Sequence, residues 1–245
     1  MKTKLTLFVA VLAVALFGMG CSSLDKGLVA YYPFNGNAKD ESGNDFHGLM
    51  EGPTSTTNRF GQSSQAITFD GADDRVSLPN QVFHGLEALT FSTWLNLDSA
   101  TQKPLQTILS LANKNDDNAL VLTFEGISFT IQNSTQQNQR RSPSVSVDAF
   151  VHRWRQIVVT KMPSSEPYKV YVDGVLKSNL TMQENDVLVV DPGGAWLGQD
   201  QDAVGGGFDS DQALKGSLDD VRIYNRALSA EEVKALYDLE KPKAK

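Results

Sequence analysis

Alternating apolar and polar positions recur in short runs after residue 27, and turn-forming residues separate the runs. Such alternation places the apolar side chains on one face of a strand. The run Tyr168-Lys-Val-Tyr-Val172 ends in Asp173-Gly174, a dipeptide that favours a hairpin turn. Many short strands with turns between them predict an all-β fold, a two-sheet antiparallel sandwich over residues 28–240. The predicted strands are Leu28–Phe34, Ala66–Asp70, Arg75–Leu78, Leu89–Leu97, Thr107–Leu111, Leu120–Phe124, Ile127–Gln132, Trp154–Met162, Tyr168–Val172 and Leu214–Tyr224.

A short helix is predicted directly after the last strand. Ser229 can accept a hydrogen bond from a free amide of the first turn, and Glu232 completes a capping box. Val233, Leu236 and Tyr237 then share one face at helical spacing, so we expect this helix to dock on the sandwich. Residues 241–245 are expected to form a tail.

The last predicted strand contains a conflict between its pattern and its chemistry. Strict alternation places Asp219 on the same face as Val221 and Ile223, which are expected to face the core. A carboxylate on an apolar face is costly unless a metal, an arginine or several hydrogen bonds compensate. Asp220 is expected to point to the opposite face.

Polar segments between the strands predict surface loops. Asn133–Val147 is rich in Asn, Gln, Ser and Arg, and Asn113–Asn118 is similarly polar. Asp200–Asp211 is acidic and contains Gly205-Gly-Gly207.

Composition narrows the possible functions. The chain of 245 residues carries a net charge of −7, and its 40% hydrophobic content supports a sizeable core. Without Lys2 and Lys4 of the leader, 20 basic residues stand against 29 acidic ones. This balance argues against nucleic acid and anionic lipid as electrostatic partners, and it is compatible with metal cations or neutral sugars.

The first residues are typical of a secretory leader. A basic start precedes a run at Leu5–Phe17 that is apolar apart from Thr6 and is short for a membrane span. Gly18-Met-Gly-Cys21 then resembles a bacterial lipoprotein processing site, which predicts a signal peptide at 1–20, a lipidated Cys21 and a linker at 21–27. The alternative is ordinary cleavage with an unlipidated Cys21. Cys21 is the single cysteine, so it has no disulfide partner within the chain. Ser22 fits outer-membrane sorting in a Gram-negative cell.

Five segments in order resemble the concanavalin A-like laminin-G/pentraxin-type domains of bacterial surface proteins. This resemblance covers roughly residues 28–238 and implies a jelly-roll sandwich with a short C-terminal helix. It is carried by Tyr32-Pro-Phe-Asn-Gly through Phe46-His-Gly48, Ile67-Thr-Phe-Asp-Gly-Ala-Asp-Asp-Arg-Val76, Leu89-Thr-Phe-Ser-Thr-Trp-Leu95, Trp154-Arg-Gln-Ile-Val-Val-Thr160 with Tyr168–Val175, and Leu218-Asp-Asp-Val-Arg-Ile-Tyr224.

The resemblance also implies a structural Ca²⁺ that links the opening loop to the last strand. Carried over by position, its side-chain ligands are Asp40, Asn44 and Asp219. Ca²⁺ prefers six to eight oxygen ligands of these types. In the alternative, Asp40 and Asn44 shape turns and Asp219 pairs with Arg59 or an amide.

Asp70-Gly-Ala-Asp-Asp74 is a second acidic segment, and we interpret it as a turn; the alternative is a second cation site. Pentraxin-like relatives hold ligands through calcium on loops, but no clear Glu-Gln-Asp cluster is recognised in this chain. Calcium-mediated ligand binding is therefore not expected from the sequence.

A sugar site is a further hypothesis. Phe208 in the Asp200–Asp211 loop would present an aromatic ring, with Gln199, Asp200 and Gln201 as hydrogen-bonding partners. The alternative is a flexible connection.

Catalysis has little support. The chain lacks the Glu-x-Asp-x-Glu pattern of a retaining glycosidase strand, a zinc-ligand spacing, a Gly-x-Ser-x-Gly elbow and a phosphate loop. We therefore expect a non-catalytic binding module of the cell envelope, with a carbohydrate or glycoconjugate as ligand. The alternatives are a protein-adhesion module and, third, a divergent polysaccharide-active enzyme.

Overall fold

The protein is described from a computed structural model that covers residues 24–99, 104–132, 139–163, 167–181 and 187–243. The leader and Cys21 lie outside these ranges. No helix in the described part of the chain combines the length and the apolar character that crossing a bilayer requires.

Two antiparallel sheets form a sandwich, which confirms the predicted fold class. Within the described ranges, fifteen strands and one α-helix follow one another. The strands are β1 Leu28–Tyr32, β2 Leu49–Glu51, β3 Thr54–Thr56, β4 Ala66–Asp70, β5 Arg75–Ser77, β6 Leu89–Leu97, β7 Leu105–Asn113, β8 Asp116–Glu125, β9 Ser128–Gln132, β10 Gln139–Ser146, β11 Arg155–Lys161, β12 Tyr168–Val172, β13 Val175–Leu180, β14 Ala195–Leu197 and β15 Lys215–Tyr224; the helix, α1, is Ala230–Glu240.

The first sheet has eight strands in the order β13-β12-β11-β6-β15-β4-β3, and β1 also pairs with β15. The second sheet has seven strands in the order β10-β9-β8-β7-β14-β5-β2. The inner faces of both sheets enclose one apolar core. Large rings such as Phe69, Phe91, Phe124 and Phe150 fill it.

Helix α1 covers the outer face of the eight-stranded sheet. The predicted capping box is present: Glu232 N donates to Ser229 Oγ at 3.2 Å, and Ser229 N donates to Glu232 Oε2 at 2.9 Å. Val233 and Leu236 pack with Tyr224 and Leu228 in a second apolar cluster, and Tyr237 stacks on Trp94. Trp94 is therefore buried beneath the helix, outside the core between the sheets.

The structure corrects two loop predictions. Residues 139–146 of the predicted Asn133–Val147 loop form β10, which pairs with β9, and residues 133–138 lie outside the described ranges. The predicted Asn113–Asn118 loop is narrower than expected, because β7 ends at Asn113 and β8 begins at Asp116.

The strict alternation that was predicted for the last strand breaks at Asp220: Val221 and Ile223 face the core as predicted, but Asp219 does not share their face. Asp219 lies opposite Trp94 and Arg222 lies opposite Ser92, so a bulge places one extra residue in β15. Asp220 has φ +48° at this bulge. Leu218, Val221 and Ile223 consequently face the core, while Asp219 lies on the outer face.

Candidate functional site

Three connections come together at one end of the sandwich. They are the β4–β5 turn at residues 71–74, the β7–β8 turn at 114–115, and the segment from Gly198 to Leu214 between β14 and β15. A cleft of about 680 Å³, the main cleft, has walls that include Asp73, Arg75, Gln199, Asp202, Phe208 and Asp209. A side cleft of about 450 Å³ lies against Asn113–Asp117 and residues 202–204. Asp202 lines both.

Carboxylates dominate this end of the molecule. Burial, followed by the charges of Asp117 and Asp209, raises the pKa of Asp202 above its ordinary value. Asp117 belongs to β8, whereas Asp202 and Asp209 belong to the segment between β14 and β15, so the fold brings a carboxylate from a distant strand within electrostatic range of Asp202. A bound cation would relieve the repulsion between these carboxylates.

Two buried amide oxygens beside these carboxylates have no hydrogen-bond partner, namely Oε1 of Gln199 and Oε1 of Gln212. Gln199 is 1% exposed and lines the main cleft, and its Nε2 donates to Asp209 O at 3.4 Å. A buried acceptor without a partner is costly. Amide and carboxylate oxygens are the donors that Ca²⁺ selects, so this set of residues fits such an ion.

Phe208 shares the main cleft with Gln199, as the hypothesis of a sugar site requires. Its ring is half-buried and meets the Trp196 ring edge-on at 5.1 Å. The guanidinium of Arg75 lies 4.5 Å from the centre of the Phe208 ring and pairs with Glu51 at 2.6 Å. These contacts hold the ring at the cleft wall.

Asp200, the third residue predicted to bind a sugar, lies beneath the surface. It is buried and accepts hydrogen bonds from Ser110 Oγ at 2.8 Å and from Gln201 N at 3.0 Å. Burial raises the pKa of Asp200 to about 6, and the two hydrogen bonds oppose that shift. Its direct role in ligand binding stays a prediction.

Asp40 and Asn44 lie together in the opening loop. Asp40 accepts hydrogen bonds from Tyr31 N, Ser42 N and Phe46 N at 2.8–3.0 Å. Burial opposes ionisation, but these hydrogen bonds outweigh it and hold the pKa of Asp40 below its ordinary value. Asn44 donates from its amide to Val29 O at 2.9 Å. Both side chains shape the loop, as the alternative interpretation proposed.

Asp219, the third predicted calcium ligand, pairs with Arg59. Arg59 Nη1 lies 2.5 Å from Asp219 Oδ2, and Arg59 Nη2 lies 2.5 Å from Asp220 Oδ2. The expectation that Asp219 and Asp220 point to opposite faces is wrong, because the bulge turns both toward one guanidinium. A metal bound by Asp219 would have to replace Arg59; the calcium assignment to Asp40, Asn44 and Asp219 stays a prediction.

The Arg59 pair belongs to a buried polar cluster beneath α1. Glu240, the last residue of α1, accepts hydrogen bonds from Trp94 Nε1 and Gln156 Nε2 at 2.9 Å each and from Arg222 Nε at 2.6 Å. Arg59 Nε also donates to Glu240 O at 2.8 Å. Two guanidiniums therefore face three carboxylates out of contact with solvent.

Sequence reasoning missed Asp117, Asp202 and Asp209 at the clefts, and Gln212, whose main-chain N donates to Asp209 O at 3.0 Å. Asp200-Gln201-Asp202 has the acid–amide–acid order of the pattern that was not recognised, with aspartate in place of the first glutamate. Accepting aspartate there would have drawn attention to this loop. The contribution of Asp117 depends on a contact between two distant hairpins.

The fold and the clefts define a lectin-like sandwich, and comparison with known proteins agrees. Residues 70–234 match the family model of the concanavalin A-like lectin/glucanases superfamily, Laminin_G_3, and the chain belongs to that family.

One relative is a pentraxin by name, and another is a C-reactive protein. Human Pentraxin-4 is 33% identical over 60% of this chain, which covers only 30% of that protein. C-reactive protein 1.4 of Limulus polyphemus is 28% identical over 65% of this chain and 67% of its own length.

A solved structure shares the fold across most of its length. Domain 4 of AbnA, a GH43 extracellular arabinanase from Geobacillus stearothermophilus in complex with arabinotriose, superposes with a TM-score of 0.61 and 18% identity. The match covers 86% of this chain and 98% of that domain.

Proposed function

We propose that this protein is a non-catalytic binding module of the cell envelope. It holds a carbohydrate or glycoconjugate in the main cleft through a divalent cation of the calcium class. The observation that carries the proposal is the meeting of Asp117, Asp202 and Asp209 beside the unpartnered Oε1 of Gln199. Gln199, Asp202 and Asp209 come from the segment between β14 and β15 and line the main cleft, and Asp117 joins Asp202 at the side cleft.

The chemistry of the cleft suits a polyhydroxylated ligand. Ca²⁺ takes six to eight oxygens, so a site with a few carboxylates and an amide leaves positions that ligand hydroxyls can fill. Phe208 offers part of an aromatic face beside these positions, and sugar rings pack on such faces through their C–H groups. The arabinotriose complex of AbnA domain 4 supports a glycan as the ligand of this fold.

The location in the cell envelope rests on the leader and Cys21, which lie outside the described residues. Lipidation of Cys21 would anchor the domain to a membrane. Mass spectrometry of the mature protein from a bacterial host tests this point, because an intact lipoprotein carries acyl chains on an N-terminal Cys21.

A glycan array with and without chelator tests the proposed function. We expect the wild-type domain to bind a subset of glycans in Ca²⁺ and to lose at least tenfold in affinity in EDTA. Asp202→Asn should lose the same binding in Ca²⁺, because it removes the carboxylate that both clefts share. Glu87→Gln changes an exposed carboxylate away from the clefts and is the matched control.

Glycan binding that survives both EDTA and Asp202→Asn would overturn the cation-dependent mechanism. Failure to bind any glycan, together with saturable binding of a purified protein partner, would favour the adhesion module.

A further inference from the structure

The chain enters the sandwich through a segment that is packed against the domain. Leu24 is buried with Tyr224 and Val233 in the second apolar cluster, beside helix α1. Asn225 N donates to Gly27 O at 2.9 Å, which ties the same segment to the end of β15. From Leu24 onward, the entry segment is therefore part of the folded domain.

Only a short length of chain separates this segment from Cys21. Cys21 precedes Leu24 by three residues. An extended chain spans at most about 3.6 Å per residue, so the two Cα atoms lie within about 11 Å of each other by any path. Lipidation of Cys21, which is part of the proposed function and on which this inference rests, would therefore bring the domain surface around Leu24 against the lipid headgroups.

One end of the eight-stranded sheet adjoins the entry segment. Leu28 at the start of β1 pairs with Tyr224 at the end of β15, and Tyr224 also pairs with Thr90 near the start of β6. Leu89, the first residue of β6, pairs with Lys161, the last residue of β11. These strand termini lie together because antiparallel neighbours pair directly across the sheet.

Residues 187–190 lie across the core at the same end. Leu188 N donates to Leu86 O at 2.9 Å, shortly before β6 begins. Leu188 and Val190 belong to the core, whereas Val187 and Val189 are 38% and 46% exposed. The segment thus turns alternate apolar side chains away from the core. Together with residues 24–28, 86–90 and 161–162, it forms what we call the anchor end.

The anchor end exposes apolar side chains next to a few charges. Met162, which directly follows β11, is 39% exposed and adds to the two valines of residues 187–190. Apolar side chains gain free energy when they leave water for the interfacial region of a bilayer. The exposed charges of Asp25, Lys26 and Glu87 can stay in the headgroup layer, which is itself charged.

The outer face of α1 is the other surface near Leu24, and it suits lipid less well. It exposes Leu239 among Glu231, Lys234 and Asp238. Lys234 Nζ pairs with Asp238 Oδ2 at 2.5 Å. Removing such an ion pair from water carries a desolvation cost that a single leucine does not offset.

We propose that the anchor end is a lipid-contact surface, at which Met162, Val187 and Val189 enter the interfacial region of the bilayer that holds Cys21. The short tether makes this contact intramolecular, so its effective concentration is high and a small apolar area suffices. The contact requires no cluster of basic residues, in keeping with the net charge of −7. This surface goes beyond the proposed function, which requires only the lipid anchor.

Fluorescence quenching by lipid tests the surface in the full-length lipidated protein. Lipidation uses the thiol of Cys21, the single cysteine, so an introduced cysteine is the one site for a maleimide fluorophore. Val189→Cys, Leu239→Cys and Ser210→Cys place it at the anchor end, on α1 and at the rim of the main cleft. In phosphatidylcholine vesicles that contain a headgroup-nitroxide lipid, we expect at least threefold stronger quenching at position 189 than at either other position.

A second set of variants tests the apolar contact itself. Met162→Cys carries the fluorophore, and Val187→Ser/Val189→Ser is added to it. Quenching at position 162 should fall at least twofold, because the valines no longer hold this end in the interface. Val175→Ser/Leu176→Ser removes two exposed apolar side chains of β13 instead and should leave the quenching unchanged.

The outcomes separate this inference from the proposed function. Mass spectrometry first establishes acylation of Cys21 in each sample; an unacylated Cys21 would overturn both the lipid-contact surface and the envelope location. With Cys21 acylated, equal quenching at the three positions, or the strongest quenching at position 239, would overturn the lipid-contact surface alone. A glycan array without any binding would leave it standing.

Discussion

Arg59 lies in a loop, yet its side chain contacts several members of the buried polar cluster. Its planar guanidinium donates to Asp219, to Asp220 and to the main-chain carbonyl of Glu240. The same group lies 4.6 Å from the centre of the Trp94 ring. A lysine ammonium is a point charge and cannot bridge two carboxylates with this fork geometry. Arg59 therefore joins the β3–β4 connection to the last strand and to the end of α1.

Replacing Arg59 tests this role. Arg59→Ala leaves Asp219 and Asp220 buried without their partner, and breaking a buried ion pair in this way costs about 3–5 kcal/mol. Urea unfolding of the wild type and the variant measures the loss. Arg153→Ala removes an exposed arginine and should change stability by less than about 0.5 kcal/mol. Equal, small effects of the two substitutions would show that Arg59 is dispensable.

Asp219 should make stability depend on pH. Burial and then the charge of Asp220 raise the pKa of Asp219 from 3.8 to about 7, although Arg59 opposes the shift. Because the pKa of Asp219 is higher in the folded state than in the unfolded state, protonation of this carboxyl group stabilises the fold. That contribution is complete below about pH 4 and is lost as pH rises to about 7. Burial shifts the pKa of Glu240 in the same direction.

Asp219→Asn isolates that contribution. The free energy of unfolding is measured between pH 4 and pH 8 for the wild type and the variant. The wild type should lose stability relative to Asp219→Asn as pH rises through this window. Parallel curves would show that Asp219 is ionised throughout this pH range. That result would mean that the ion pair with Arg59 outweighs the effect of burial on the pKa of Asp219.

At the scale of elements, the sequence predicts those helices and strands that have a local residue pattern. The capping box of α1 depends on residues three apart, and the long strands β6 and β11 are rich in apolar and β-branched residues, so all of these were predictable. Strand β10 was not, because its polar residues gain their pairing from β9. The bulge at Asp220 also left no local signal, and it puts Asp219 on the face opposite to Val221 and Ile223, with which strict alternation had grouped it.

The candidate site likewise contains some residues that the sequence predicts and others that only the fold brings together. Gln199 and Phe208 lie close in sequence to each other, and the turn-rich acidic loop around them marked them as candidates. Asp117 joins them only because the β7–β8 hairpin reaches the end of β14, a neighbour relation that the sheet order creates. Asp219 was identified correctly as a buried carboxylate that needs a partner, yet the bulge determined on which face it found Arg59.

At the scale of the whole molecule, β15 separates the clefts from the start of the domain. Its first residue, Lys215, pairs with Asp70 beside the main cleft, while its last, Tyr224, pairs with Leu28. Ten extended residues span about 30 Å. An N-terminal tether would thus hold the domain with its clefts facing away from the anchoring surface, where an extended glycan can reach them.

Attachment through chosen cysteines tests this orientation. Cys21 is the single cysteine, so a chain expressed from residue 21 without the leader, in which Cys21 is not lipidated, can be biotinylated there and captured on a surface. Cys21→Ser/Ser210→Cys, expressed in the same way, can be captured through the exposed rim of the main cleft. With a glycan polymer selected on the array, we expect Ca²⁺-dependent binding to the first surface and at least a tenfold weaker signal from the second. The same variant free in solution should bind that polymer as the wild type does, because only surface attachment blocks the cleft. Equal binding to both surfaces would place the ligand site elsewhere on the sandwich.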